Sequence, residues 1–309
     1  MENIKNVAVL YGGSSAEREV SLKSGRGVAK GLSDLGIKST LFDFSNLNNF
    51  SQLQDFDISF IALHGHEGEG GLLQKTLDSK NIKYTGSGEV ACSKTWNKRI
   101  CKELLFKENI NTPKWVSIDN LKNYIDSNSI EQSYQTLVKK LGKSMFLKPS
   151  EDGSSIDIFK IDSFGSFKEA ILNCSNINRE FILEESINGR EITVGIIKDK
   201  CLPAIEIQTK NVFYNYEAKY LSDETNLKEA DISNAQKKKI QKMALSAFNT
   251  LGCKGWARVD FMQDIDGEFY IIEINTAPGM TSHSLIPMAA SFLGISYPQV
   301  IKDIINASI

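Results

Sequence analysis

Trp256-Ala-Arg258-Val-Asp260 and Ile271-Ile-Glu273-Ile-Asn275 are two short strand-like stretches that end in an arginine, two carboxylates and an amide. Residues two apart on a strand share a face, so Arg258 stands with Asp260 and Glu273 with Asn275, while Val259 and Ile274 point the other way. The same alternation puts Phe269 and Ile271 on the Glu273 face. Polarity therefore begins only where the strands end, which is where open α/β sheets bind ligands. Carboxylates leaving an apolar face need compensating charge. Every donor here is a hard oxygen, with no Cys or His in either stretch, which favours Mg²⁺ over zinc.

The surrounding chain is strand-rich, with strands expected over 181–184, 192–197 and 202–207, a helix over 233–251 and another over 283–293. At the other end, Val7 to Tyr11 is an apolar strand, followed by Gly12-Gly-Ser-Ser15 and a helical stretch ending at Gly36. This is a Rossmann-like opening. Strands near 40–44 and 58–63 and a helix over 72–80 continue it, predicting a parallel sheet covered by helices and closing near Ser93–Trp96. Asn97 to Glu108 reads as a helix ended by Thr112-Pro113. The pattern then resets to strands at 145–148 and 156–161 with a helix near 167–172, which predicts an antiparallel α+β unit. The expected organisation is α/β in three units, 1–96, 97–183 and 184–309. Val212 to Asn226 has no Gly or Pro and no clear period, and its aromatics mark it as a structured loop suited to be a lid.

A chain of 309 residues exceeds what one core usually supports. Its 41% hydrophobic and 24% charged residues are those of an ordinary globular protein. The formal net charge of −2 leaves no basic footprint for nucleic acid. No apolar run approaches the ~18 residues of a membrane span, and Val7–Leu10 is too short for a signal-peptide core. Cytoplasmic residence without membrane attachment is the expectation, and five scattered cysteines with no metal-type spacing are expected to be reduced.

Other residues divide between a chemical and a structural role. Lys148 ends an apolar strand before Pro149 and the small-residue loop Ser150–Ser155, where it suits a phosphate or is a surface lysine before a turn. Lys98 opens a helix, a place that disfavours cations unless an external anion is present. Glu17 follows a glycine turn and is either an ordinary helix-start acid or a carboxylate for an ammonium group. His64 and His66 lie among Gly65, Gly68, Gly70 and Gly71, which favour close backbone approach of a ligand over a rigid metal cage. Thr276 to Ser284 offers N–H and hydroxyl donors to a carboxylate or oxyanion.

Lysines, a Gly/Ser loop and a hard-oxygen acid cluster together describe a Mg²⁺-nucleotide site, and neither a P-loop nor a kinase motif set is present. This order of parts resembles the ATP-grasp ligases and, within them, the D-alanine–D-alanine ligase family, over essentially the whole chain. The motifs that carry the resemblance are Gly12-Gly-Ser-Ser-Ala-Glu-Arg-Glu-Val-Ser21, Ala62-Leu-His-Gly65, Tyr84-Thr-Gly-Ser-Gly88, Tyr216-Glu-Ala-Lys-Tyr-Leu-Ser-Asp223, Gly252-Cys-Lys-Gly-Trp256 and Asn275-Thr-Ala-Pro-Gly-Met-Thr281.

The resemblance implies a three-domain ATP-grasp architecture, with a Rossmann-like N-terminal domain and two α+β domains clasping ATP. It implies a homodimer that forms D-alanyl-D-alanine for the bacterial cell wall through an acyl phosphate. By the same resemblance Asp260, Glu273 and Asn275 would hold two Mg²⁺ ions, with Mn²⁺ able to substitute. Arg258 and the Gly279 N–H would hold an oxyanion, in preference to Arg258 serving as the charge partner of Asp260. Glu17 would hold the first D-alanine's ammonium with His64 nearby, and Ser284 and Leu285 the second D-alanine's carboxylate. Lys98, Lys148 and Lys219 would contact ATP phosphates. Glu184, Glu185 and Glu191 would hold the adenosine, with Ile187 nearby. Ser154 and Tyr220 would join Glu17 in bridging the central loop and the lid. The rivals are a D-alanine–D-lactate ligase, against which Tyr220 speaks, a small-acid kinase, and a catalytically impaired ATP-binding regulator. Two positions depart from the family's pattern: Asn97 where an Asp usually precedes the lysine, and Asp157 where a glycine usually follows Ser-Ser-x. An acid near the phosphate loop is expected to weaken ATP binding or alter loop mobility.

Overall fold

Val7, Ala8, Val9 and Leu10 are wholly buried in succession, the signature of a strand covered on both faces. The computed structural model describes residues 4–125, 130–153, 156–209 and 225–309. Among the described residues there are three sheets. In the first, Asn6–Tyr11 lies between the parallel strands Lys38–Asp43 and Ile58–Ile61. The second is antiparallel, in the order Trp115–Ile118, Phe181–Glu185, Met145–Pro149, Phe159–Ile161. The third is antiparallel and runs Asn226–Glu229, Ile205–Gln208, Gly189–Ile197, Trp256–Asp264, Phe269–Asn275, with Lys200–Cys201 against Gly189–Ile197. The multi-domain α/β organisation expected from the sequence is present among the described residues.

The structure differs from the sequence expectation at the unit boundaries. Strand Phe181–Glu185 runs across the 183/184 boundary and belongs wholly to the second sheet. The C-terminal helices Leu285–Ser291 and Tyr297–Ser308 bridge two units, packing on Ile205, Ile207 and Trp256 of the third sheet and also on the first. Their Leu285, Ile286, Ala289, Ile301 and Ile304 share a core with Val7, Val9, Val28, Leu32, Ile58 and Phe60 of the first. Gly31 permits that approach, because a Cβ there would collide with Ile301. Helices His66–Glu69, Glu89–Trp96 and Ile130–Leu141 carry no sequence expectation. The first is a single turn among glycines, which no 3.6-residue period can announce.

Strands Trp256–Asp264 and Phe269–Asn275 pair with Arg258 opposite Asn275 and Asp260 opposite Glu273, and then Phe261 opposite Ile271. Ile272 is the extra residue of a β-bulge. The bulge flips the phase of the strand. Phe269 and Ile271 therefore join Ile274, Val259 and Phe261 in the core beneath helix Asn234–Thr250. Simple alternation had placed them on the Glu273 face; the observed polar face carries Ile272, Glu273 and Asn275 instead.

Candidate active site

The three sheets converge on a cleft of about 750 Å³. Of the sequence-predicted residues, Glu17, His64, Lys98, Lys148, Glu184, Glu185, Ile187, Glu191, Arg258, Glu273, Asn275 and Gly279 line it. Asp260, Ser284 and Leu285 are not in the lining. Ser154, Lys219, Tyr220 and most of the 212–226 loop lie outside the described residues.

Asp260 is buried beneath Arg258, which grips it with two hydrogen bonds, Nε to Oδ1 at 2.8 Å and Nη2 to Oδ2 at 2.7 Å. Thr193 donates to Oδ1 at 2.5 Å and Asn275 Nδ2 to Oδ2 at 3.0 Å. Arg258 thus reaches the cleft and is also the charge partner of Asp260, two roles the sequence reading had set against each other. Glu273 and Asn275 stand beside this pair with the hard oxygens that Mg²⁺ prefers. Two carboxylates and one amide suit a hard cation bound jointly with phosphate oxygens better than an all-protein cage.

His64 is buried, with Nε2 at 3.1 Å from Ser24 Oγ and Nδ1 at 2.9 Å from the Ala277 carbonyl. A carbonyl only accepts, so Nδ1 carries the proton and Nε2 accepts from Ser24, which itself accepts from Met280 N–H at 3.1 Å. Burial lowers the histidine's pKa, Arg258 adds to this, and Glu17 partly opposes it. A neutral ring with both nitrogens engaged is a strut holding the Ala277–Met280 turn against the first sheet. Beyond Gly279, the Ser284 hydroxyl accepts from Thr281 N–H at 2.9 Å, and a Cβ on Gly279 would meet it at 3.0 Å.

Consecutive positive φ at Gly12 and Gly13 turns the chain out of the first strand. Glu67 then accepts from Ser14 N–H and Oγ, each at 2.8 Å, and Arg18 pairs with Asp43 at 2.6 Å. The loop so fixed presents Glu17 to the cleft. On the far side Gly153 approaches closely, since a Cβ there would lie 3.5 Å from Glu17 Oε2 and 3.3 Å from Trp96. Glu69, which the sequence reading did not single out, also lines the cleft. Burial, reinforced by Glu17, pushes its carboxyl up to about 8.

Glu184 lies between Lys148, with which it makes a short contact, and Lys102 at 2.9 Å. Desolvation works against its charge, but the two lysines prevail and hold it down to about 2. Lys102 was overlooked in the sequence. Its signal was available, because it follows Lys98 by one helical turn and so shares a face with it. Lys98 donates to the Asp152 carbonyl at 2.6 Å. Burial lowers its pKa, with Glu273 opposing and Lys148 assisting.

The two unusual positions have physical explanations. Asn97 caps its helix by accepting from Ile100 N–H at 2.9 Å and donates Nδ2 to Glu151 Oε1 at 2.9 Å. Asn caps as well as Asp, and only Asn can also donate to a carboxylate. Asp157 has φ of +52°, which explains a usual glycine. Its side chain takes Arg179 at 2.5 Å and the Ser175 hydroxyl at 2.5 Å, while Arg179 also grips Asp152 at 2.6 Å. The acid is therefore paired within the protein, and Arg179 ties it to Asp152 of the 150–155 loop. Asp157→Ala keeps the left-handed strain and strips Arg179 of a partner, so it should cost about 1–3 kcal/mol. Asp157→Gly should cost less, because it removes the strain, and comparing urea midpoints of the two variants checks this.

A family model described as D-ala D-ala ligase C-terminus matches residues 104–306. The chain is 39% identical over 307 residues to the D-alanine–D-alanine ligase of Dechloromonas aromatica (strain RCB), spanning 99% of this chain and 98% of that relative. Among solved structures it is similar to the D-alanine–D-alanine ligase of Bacillus anthracis complexed with ATP, with TM-score 0.84 and 29% identity over 98% of this chain and 97% of the other. It is also similar to the VanG D-Ala:D-Ser ligase of Enterococcus faecalis, with TM-score 0.82 and 25% identity over 99% and 100%. With its three sheets around one acid- and lysine-lined cleft, the chain belongs to the D-alanine–D-alanine ligase family of the ATP-grasp superfamily.

Proposed function

We infer that this chain joins two D-alanine molecules in an ATP-dependent reaction, giving D-alanyl-D-alanine, ADP and phosphate for peptidoglycan synthesis. The observation that carries this is the meeting of Glu17, Arg258, Glu273, Asn275 and Gly279 with Lys98 and Lys148 around one cleft. A carboxylate is a poor electrophile. Transfer of the γ-phosphoryl group to the first D-alanine's carboxylate oxygen makes it reactive and releases ADP. The second D-alanine's amine then attacks the carbonyl carbon, loses a proton, and phosphate departs with the C–O bonding electrons.

In this reading Glu17 holds the first substrate's ammonium, with the His64 strut fixing the turn opposite. Arg258 and the Gly279 N–H face the oxygen on which negative charge develops. Lys98 and Lys148 take ATP phosphates, as would Lys219. Glu184, Glu185, Glu191 and Ile187 form the adenosine end, and Ser284 and Leu285 receive the second carboxylate. Ser154 and Tyr220 complete closure with Glu17 and exclude water from the acyl phosphate. Asp260, Glu273 and Asn275 would hold Mg²⁺, or Mn²⁺ in its place. Bound with the nucleotide, the metal neutralises phosphoryl charge. Homodimerisation and cytoplasmic residence belong to the same reading; among the described residues no helix is long and apolar enough to cross a membrane.

With ATP, Mg²⁺ and D-alanine, purified protein should release phosphate and form a product with the dipeptide's mass. D-lactate, D-serine and L-alanine serve as competing second substrates. Preference for D-lactate or D-serine at neutral pH would overturn the assignment of the second substrate. Phosphate release without dipeptide would mark a kinase.

A further inference from the structure

Lys102 is about 1% exposed, and it is not among the residues lining the cleft. Burying an ammonium is costly unless each of its hydrogens is engaged. Its Nζ reaches Glu184 Oε2 at 2.9 Å and donates to Thr112 Oγ1 at 2.6 Å, with the Trp115 ring 5.8 Å away. Thr112 in turn donates its hydroxyl hydrogen to the Ile271 carbonyl at 2.8 Å. The neighbouring Asn111 carbonyl accepts the Ile271 N–H at 2.9 Å.

Ile271 sits on the outer edge of the third sheet, immediately before the bulged Ile272 and then Glu273. A bulge bends the strand and disrupts the ladder locally, and on an edge strand the outward-facing backbone groups have no ladder partner. The Asn111–Thr112 clasp supplies partners to both backbone groups of Ile271 and so ties the strand down beside its bulge. Through Thr112 the clasp is bonded to the same lysine that neutralises Glu184 in the second sheet. One continuous polar chain thus runs from the adenosine end of the cleft to the strand that carries Glu273 and Asn275.

We propose that Lys102 is a positioning residue that, through Thr112 and the Ile271 carbonyl, fixes the bulged strand bearing Glu273 relative to the nucleotide pocket built around Glu184. The proposal rests on the ligase reading and adds to it the device that keeps the two halves of the nucleotide–metal site in register. Aligning them matters because a cation shared between carboxylates and phosphates tolerates little displacement of either.

The test measures binding, without D-alanine and without turnover. Mn²⁺ affinity for the protein–ADP complex is read from water proton relaxation, and metal-free ADP affinity from calorimetry. Lys102→Met should weaken both, but it leaves Glu184 with a single cation and risks unfolding. The deciding variant is therefore Thr112→Val, which keeps the shape and both lysines on Glu184. Its Mn²⁺ affinity should fall about 10-fold, the low end for loss of an outer-sphere partner, while metal-free ADP affinity stays within about twofold. Thr112→Ser should restore Mn²⁺ affinity. Wild-type Mn²⁺ affinity in Thr112→Val, or failure of Thr112→Ser to restore it, would overturn the proposal and leave these residues as structural only. Absence of dipeptide from the wild-type enzyme would instead strike the functional reading, since these affinities involve no ligation.

Discussion

Replacing Arg258 by alanine should lower kcat about 10²–10³-fold, the usual loss when a donor to a developing oxyanion is removed, and should destabilise the fold as well. The two effects have separate origins. Arg258 lines the cleft, and it is also the bidentate partner of a carboxylate that is about 5% exposed. Removing it takes away the bidentate charge partner of Asp260, which the neutral donors Thr193 and Asn275 do not replace. Breaking one side of a buried pair costs about 3–5 kcal/mol. Arg258→Lys separates the two roles. A lysine restores part of the charge compensation but cannot present the planar fork that grips both Asp260 oxygens and still faces the cleft. Urea midpoints should therefore recover partly in Arg258→Lys while kcat stays low. Full recovery of kcat with lysine would remove the guanidinium geometry from the mechanism.

Glu184→Gln should be the most destabilising single change near the nucleotide pocket. Lys102 and Lys148 both place their charge on this carboxylate, and neutralising it leaves the buried Lys102 and the cleft-lining Lys148 facing an amide. The expected loss is about 3–5 kcal/mol, with weakened ADP binding. The wild-type pH dependence offers an independent check. In the unfolded chain a glutamate titrates near ~4.3, whereas Glu184 in the folded protein is held down to about 2. The folded state therefore binds fewer protons between these values. Its Glu184-linked stability is complete above about pH 4.5 and is lost as pH falls toward about 2, a change of roughly 3 kcal/mol. Denaturation midpoints of Glu184→Gln should lack that part of the acid limb. A variant curve parallel to wild type across this window would show that Glu184 is not held as its two partners imply.

Much of this was legible in the sequence because periodicity and chemistry agreed. The Val7–Tyr11 strand, its glycine turn and its helix announced the first sheet, and Arg258, Asp260, Glu273 and Asn275 stood out as polar ends of apolar strands. What escaped depended on geometry that spacing does not encode. The bulge at Ile272 moved Ile271 from the polar face to the core, and nothing in a run of three isoleucines and a glutamate marks which residue is the extra one. The pairing of Asp260 with Arg258 was visible as a shared face but not as the bidentate grip that keeps Asp260 out of the cleft lining. Lys102 was not singled out, and its burial depends on Glu184 arriving from a strand some eighty residues later. Asp157 stood out as an acid near the phosphate loop, but its partners Arg179 and Ser175 lie some twenty residues on and could not be read from spacing.

The return of the C-terminal helices to the first sheet has a consequence for how the chain is made. Val7, Val9, Ile58 and Phe60 share their core with Ile301 and Ile304, so the first sheet is synthesised well before the helices that complete its packing. Contacts of such sequence separation slow folding and expose apolar surface meanwhile. The Rossmann-like opening is therefore not a module that matures ahead of the rest. Its assembly waits on the synthesis of helices Leu285–Ser291 and Tyr297–Ser308, and a chain cut short before Leu285 would carry an uncovered sheet face, a target for chaperones and proteases.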